Sequence, residues 1–162
     1  MENNLNYIIE GSSNKESIKF LHGIGGDSNS WEFQLEYFSK EFRTVAWDMP
    51  VYGSSKLDKE MTFEYLSDSL VTMMDELEIQ KCHLVGHSMG GMVAQQAIAA
   101  SSDRFKSLIL SATSPAFGKP DGDFQKEFIS ARLKPLDDGL SMARLAEKQV
   151  PTMIGDEPNS KG

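Results

Sequence analysis

The sequence predicts an α/β protein with a mostly parallel sheet and flanking helices, and three observations carry that reading. Between residues 17 and 112, short apolar runs of strand length alternate with longer segments of helical spacing, an order that requires parallel pairing through right-handed crossovers. Two glycine-rich stretches, His22-Gly23-Ile24-Gly25-Gly26 and Gly86-His87-Ser88-Met89-Gly90-Gly91, each follow one of the apolar runs directly. In such sheets ligands bind at the carboxyl ends of the strands, where both stretches fall.

Taken in order, Tyr7-Ile8-Ile9-Glu10 and Ser17-Ile18-Lys19-Phe20-Leu21-His22 read as strands separated by a turn of Gly, Ser and Asn. Residues 30–41 start on Ser30 as a cap, and Trp31, Leu35 and Phe38 recur at helical spacing as core positions. Residues 44–50 form a short strand ended by Pro50. From 62 to 79, Phe63, Leu66, Leu70, Met73, Met74 and Leu77 share one helical face, while Asp68, Asp75, Glu76 and Glu78 fall elsewhere. That is the pattern of a surface helix packed on a sheet. A strand at 81–85 runs into Ser88, and residues 92–100 form a helix whose many small residues allow close packing. Residues 106–112 read as another short buried strand. Beyond them, 113–123 is a loop by composition, 124–133 a helix with Phe124, Phe128 and Ala131 on one side, and 140–150 a second short helix.

Composition limits the function classes. With 162 residues, 40% of them hydrophobic, there is material for one globular core and not for two. A net charge of −8 and a lack of clustered Lys and Arg argue against a nucleic-acid partner. The start Met1-Glu2-Asn3-Asn4 lacks a basic region followed by an apolar core, and no apolar run is long enough to span a bilayer. The expectation is therefore a protein without a membrane partner, placed in the cytoplasm. The single cysteine, Cys82, lies in a strand-like run and reads as a buried thiol, which suits a reducing compartment. We assign no cofactor and no metal.

The chemistry concentrates at Ser88. A serine flanked at two residues on either side by Gly86 and Gly90, between an apolar strand and a helix, is a sharp strand-to-helix turn that exposes its hydroxyl. The turn holds the serine in a strained backbone conformation, and side chains at the two glycine positions would collide with neighbouring backbone. Ser88 is thus the candidate nucleophile, and the amide of Met89, opening the helix, points at negative charge forming on a substrate oxygen. Three glycines in 22–26 let the backbone near Gly23 approach a ligand, although alone the segment fits a ligand-free turn equally well. His22, at a strand end, reads as a loop-holding residue rather than a proton carrier. Asp48 starts a loop, where an aspartate usually accepts backbone amides, and is read as structural.

Together, His22-Gly23-Ile24-Gly25-Gly26, then Trp47-Asp48-Met49-Pro50 through Tyr52-Gly53-Ser54-Ser55, then Gly86-His87-Ser88-Met89-Gly90-Gly91 resemble the three N-terminal motifs of the α/β-hydrolase superfamily, in order. Residues 113–123 resemble the start of the helical cap in cofactor-free members akin to 3-oxoadipate enol-lactonases. The resemblance implies a three-layer fold, with residues 1–112 as the N-terminal part of the core and 113–162 as the start of a cap or lid. It implies the Ile24 amide as second oxyanion donor, and a chain order in which Asp48 precedes the nucleophile and so is not the triad acid. The implied function is hydrolysis of a small-molecule ester or lactone through an acyl-serine intermediate.

Two departures from the family pattern shape the expectations. Val51 stands where the family has Gly, and a β-branched residue there disfavours positive φ, so the turn's usual geometry is in question. Family members also continue with strands that supply an Asp and then a His, whereas His22, His83 and His87 all precede or adjoin Ser88. The expectation is the N-terminal portion of a hydrolase, truncated, without the triad acid and base, and with a sheet incomplete on its C-terminal side. His87 is a poor substitute, because neighbouring side chains on a strained turn diverge. The strand at 106–112 would then offer an edge for self-association. The alternative is a non-catalytic binding or interaction protein derived from the same fold.

Overall fold

Five strands form one sheet in the order β1-β3-β2-β4-β5: β1 (Tyr7–Glu10), β2 (Ser17–Leu21), β3 (Arg43–Trp47), β4 (Cys82–His87) and β5 (Phe105–Ser111). β1 runs antiparallel to β3, and every other pairing is parallel. The helices are α1 (Glu32–Phe38), α2 (Phe63–Glu76), α3 (Met89–Ser101), α4 (Asp123–Asp137) and α5 (Met142–Met153). This computed structural model describes residues 5–56, 59–116, 118–119 and 122–153; residues 1–4 and Phe117, Pro120 and Asp121 of the predicted loop lie outside them. Contacts divide the chain into two units, Met1–Pro115 and Ala116–Gly162. The first runs past β5 because the Thr113 hydroxyl is bonded to the Ser88 carbonyl and Gln95 to the Ser114 carbonyl.

The first unit is layered as the alternation of elements requires. On one face of the sheet, Leu21, Trp47 and Leu84 pack with Leu66, Leu70 and Met73 of α2 and Val93, Ala94 and Ala97 of α3. On the other, Ile18, Phe20 and Ala46 pack with Leu35 of α1, and Trp31 and Phe38 close the edge of that cluster. The small residues of α3 do what their size predicts, since Ala94 and Ala97 are buried completely. Cys82 is a buried thiol, pushed up to about 11 by desolvation.

Several boundaries differ from the sequence expectations for identifiable reasons. Ser30 is not the cap of a helix at 30–41; Asp27 caps a short 3-10 turn, Ser28–Trp31, that leads into α1, and Ser30 closes a capping box with it. The strand before Ser88 extends to His87 rather than residue 85, while the helix after it begins at Met89, where the turn placed its opening, three residues ahead of the run at 92–100. β5 is not buried: Ile109 is 55% and Leu110 45% exposed, because among the described residues β5 pairs on one side only, with β4. α4 continues beyond Leu133 through Pro135, which falls in its last turn. Val51 adopts φ 69 despite its β-branch, and the turn around it stays closed through Tyr52 N–H to the Met49 carbonyl at 2.9 Å. Its side chain is 49% exposed, which leaves room for the unfavourable backbone state.

Two helices end in the same motif with different residues. After α4, Leu140 N–H reaches the Pro135 carbonyl and Gly139 N–H the Leu136 carbonyl, both at 2.9 Å, with Gly139 at φ 88. After α2, Ile79 N–H reaches the Met74 carbonyl at 2.8 Å and Glu78 N–H the Asp75 carbonyl at 3.0 Å, with Glu78 at φ 56. Both are Schellman caps, and Ile79 and Met74 add the accompanying apolar contact. Glycine suits the left-handed position; glutamate does not. Glu78→Gly should therefore raise unfolding stability by about 1 kcal/mol, read from urea denaturation at unchanged m-value; an unchanged or lower midpoint would refute the strain at this position.

Lys19 lies mid-sheet, between Val45 of β3 and Leu84 of β4, only 1% exposed, and its Nζ has no hydrogen-bond partner among the described residues. Burial drives its pKa down to about 7 from an ordinary 10.5. The native chain thus carries a charged, desolvated ammonium below about pH 7 and a neutral amine above it. Since the folded pKa is depressed, the associated stability is fully present above 10.5 and lost as pH falls towards 7. Lys19→Met should stabilise the protein by several kcal/mol at neutral pH, and urea titrations should show that advantage shrinking steadily as pH rises to 10. A gain independent of pH would mean that the ammonium is not desolvated.

Candidate active site

The site grows from the junction of β4 and α3. Ser88 sits between them at φ 52, ψ −119, a region that non-glycine residues avoid. Its N–H donates to the Ser111 carbonyl at 2.9 Å, and its carbonyl accepts from Gly91 N–H at 3.0 Å and Thr113 Oγ1 at 2.7 Å. Local geometry is thereby fixed from β5 on one side and α3 on the other.

The glycines are dictated by close approach. A Cβ at Gly86 would lie 2.5 Å from the Gly91 Cα, and one at Gly90 would run into the carbonyls that end β2, at 2.6 Å from the His22 oxygen. A Cβ on Gly91 would meet the Thr113 side chain at 2.6 Å. On the facing loop, a Cβ on Gly23 would lie 2.9 Å from the Ser88 Cβ. Gly23 and Ser88 are therefore immediate neighbours, and both glycine-rich stretches converge on one point. Met89 is the first residue of α3, where an N–H has no acceptor within the helix and carries the positive end of its dipole. Ile24 follows Gly23 in a turn closed by Gly26 N–H to the Gly23 carbonyl at 3.1 Å, with its side chain exposed.

His22 is buried and has both ring nitrogens occupied. Nε2 accepts from Met49 N–H at 3.0 Å, so the proton lies on Nδ1, which donates to the Gly23 carbonyl at 2.9 Å. Desolvation pushes its pKa below the usual value, against the raising effect of the Gly23 carbonyl and the Asp48 and Asp27 carboxylates. Tyr52 packs edge-on against the ring at 5.0 Å. The imidazole thus joins the loop after β2 to the loop after β3.

Asp48, also buried, is the other junction. Its Oδ1 accepts from Ser28 N–H at 2.8 Å, and its Oδ2 from Ser54 N–H and Asn6 Nδ2, each at 2.9 Å. Burial alone would raise its pKa, but the hydrogen bonds from Ser54, Ser28 and Asn6 outweigh that and hold it below the ordinary carboxylate value. Gly53, at φ 51, lies so close over the carboxylate that a Cβ there would overlap it.

Of the sequence candidates, the fold brings Ser88, Met89, Gly86, Gly90 and Gly23 together, with Ile24 adjoining and His22 beneath. Asp48 reaches them through Met49 and His22. His87 is exposed at the end of β4, with its Cδ2 3.2 Å from where a Gly23 Cβ would be. Thr113 went unnoticed in the sequence, where it belongs to a loop; its position just past a strand neighbouring β4 was the available sign. Among the described residues no group of three His, Cys, Asp or Glu side chains is placed to hold a metal, and no helix is long and apolar enough to cross a membrane.

Comparisons with known proteins agree with this geometry. The chain is 32% identical over 117 residues to a strigolactone esterase of Pisum sativum, covering 69% of this chain and 43% of that one. It is 28% identical over 118 residues to 3-oxoadipate enol-lactonase 1 of Acinetobacter baylyi, covering 73% and 44%. The chain thus spans less than half the length of these curated relatives. The solved enol-lactonase of Burkholderia xenovorans superposes with a TM-score of 0.71 at 27% identity, over 92% of this chain and 61% of that one. The sequence model of the alpha/beta hydrolase fold matches residues 17–150, and with a parallel sheet, a strained serine between β4 and α3 and glycines where its neighbours touch, the chain belongs to the α/β-hydrolase family.

Proposed function

We propose that Ser88 is the nucleophile of a hydrolase acting on a small-molecule ester or lactone, with the Met89 and Ile24 amides as its oxyanion donors. The observation that carries this reading is the Ser88 backbone, held at φ 52 against the first turn of α3 with Gly23 pressed beside it. A fold seldom retains such strain without a use for it. Ser88 Oγ bonds to the substrate carbonyl carbon, the carbonyl oxygen takes the negative charge towards the two amides, and the alkoxide leaves with a proton. Water then cleaves the acyl-serine. The esterase and lactonase names of the relatives support that substrate class. Residues 1–112 are then the N-terminal part of the hydrolase core and 113–162 the start of a cap or lid, and the buried lone thiol fits a cytoplasmic setting.

The proton acceptor is the open element of the site. His22 has both nitrogens engaged, His83 is bonded to Ser107 near the amino ends of the strands, and His87 adjoins the nucleophile. Among the described residues, no imidazole is both free and aimed at the Ser88 hydroxyl. A serine without a base is a weak nucleophile. The chain should turn over p-nitrophenyl acetate no faster than its Ser88→Ala variant, followed by steady-state absorbance. Multiple Ser88-dependent cycles would show that one of the three histidines serves as the base.

Asp48 is proposed to organise the site without touching substrate. Asp48→Asn should cost about 1–3 kcal/mol at pH 7, since one or more of its buried donors loses its acceptor. Its depressed pKa places its stabilisation above the ordinary 3.8, to be lost as pH falls through the lower folded value. The gap between the two proteins in urea denaturation should therefore narrow as pH falls from 7 to below 3.8; a constant gap would show that the carboxylate's charge contributes nothing.

A further inference from the structure

Near the amino ends of the strands, at the opposite end of the sheet from Ser88, three side chains line up as hydroxyl, imidazole and carboxylate. His83 of β4 and Ser107 of β5 are register partners, so their side chains project from the same face of neighbouring strands. Ser107 Oγ lies 2.8 Å from His83 Nδ1, and His83 Nε2 lies 3.5 Å from Glu16 Oε2. The other Glu16 oxygen is paired with Lys106 Nζ. The Phe42 ring stands edge-on to His83 with centroids 6.0 Å apart and fixes the imidazole plane.

The charges define the tautomer. A carboxylate facing Nε2 favours the proton on that nitrogen, which leaves the Nδ1 lone pair to accept from the Ser107 hydroxyl. This is the logic of a serine, histidine and acid relay with the two ring nitrogens exchanged. Glu16 is held in its ionised form by the Lys106 ammonium first and His83 second, which draw its pKa below the usual value. Among the described residues Nε2 is buried without a hydrogen bond, and its 3.5 Å separation from the carboxylate would shorten as positive charge develops on the ring. Ser107 itself is exposed, and Ile109, two residues along the same face, offers apolar surface to an acyl chain.

We propose that Ser107, His83 and Glu16 form a second nucleophilic site, independent of Ser88, that takes the acyl group of small activated esters. The Ser107 oxygen bonds to the acyl carbon as its proton passes to His83 Nδ1. The bond from that carbon to the leaving oxygen breaks, and the departing phenolate or alkoxide recovers the proton. Glu16 acts as a positioning residue that stabilises the imidazolium. Ser107 is in mid-strand, not at the start of a helix, so its own amide offers no oxyanion donor of the kind Met89 supplies, and the product is a lasting Ser107 ester rather than turnover.

The test uses p-nitrophenyl acetate on the 162-residue chain carrying Ser88→Ala, with peptide mapping by mass spectrometry over time. Ser107 should gain one acetyl group, removable by neutral hydroxylamine as an ester and not as a lysine amide. Adding His83→Gln should slow that acetylation by about 100-fold, the usual contribution of a general base. Glu16→Gln, at an exposed position that the fold does not need, should slow it by a smaller factor while circular dichroism stays unchanged, which keeps the test valid if the His83 variant unfolds. Absence of a Ser107 adduct, or equal rates with and without the Glu16 and His83 side chains, would overturn the proposal. Because Ser88 is already removed, neither result bears on the reading of Ser88.

Discussion

The close approach of α3 to the end of β2 is the constraint on which the rest of the site depends. Gly90 brings the first turn of the helix against the carbonyls of Leu21 and His22, where no side chain would fit. A helix starting that near the sheet leaves a single residue in which to turn out of β4. That residue, Ser88, takes up the difference as a positive φ. The steric fact at Gly90 and the strain at Ser88 are two sides of the same requirement, and Gly86 and Gly91 extend it to the residues next to them. Thr113 and Ser111 then close the arrangement from the side of β5 through the Ser88 carbonyl and N–H.

A second set of bonds holds the loops at the strands' carboxyl ends in register with that turn. Asp48 gathers the N–H groups of Ser28 and Ser54 and the amide of Asn6, while the adjacent Met49 N–H reaches His22. One carboxylate and one imidazole thereby tie together residues that are 48 positions apart at most in the chain's first 55. Both are buried, so their hydrogen bonds are not exchanged with water, and an orphaned partner would be costly. The loops near the nucleophile are consequently positioned by polar groups that do not need to meet substrate.

Much of this was legible in the sequence, for physical reasons that differ by residue. Ser88, Gly86 and Gly90 were legible because steric exclusion permits few alternatives to glycine, and α2 because its apolar residues keep helical spacing over four turns. Asp48 was legible as an acceptor for loop amides, though not which amides, since these come from distant segments. The start of α1 was misplaced because Asp27 and Ser30 are both competent caps and local sequence does not rank them. β5 was read as buried because an apolar strand has the same composition whether or not another element covers it. Val51 kept the turn that its β-branch disfavours, as the surrounding bonds are worth more than a local preference. Lys19 shows the converse limit, for a charged residue within an apolar run gives no sign of whether its amine finds a partner.

The buried amine of Lys19 reaches beyond its local packing. Between about pH 7 and 10.5 the unfolded chain holds a proton at this position that the native chain lacks, so folding releases it to the solvent. The heat of unfolding observed in that range then includes the ionisation heat of whatever buffer donates the proton. Calorimetric enthalpies obtained in Tris and in phosphate would differ by that amount, although the fold and every contact within it were the same.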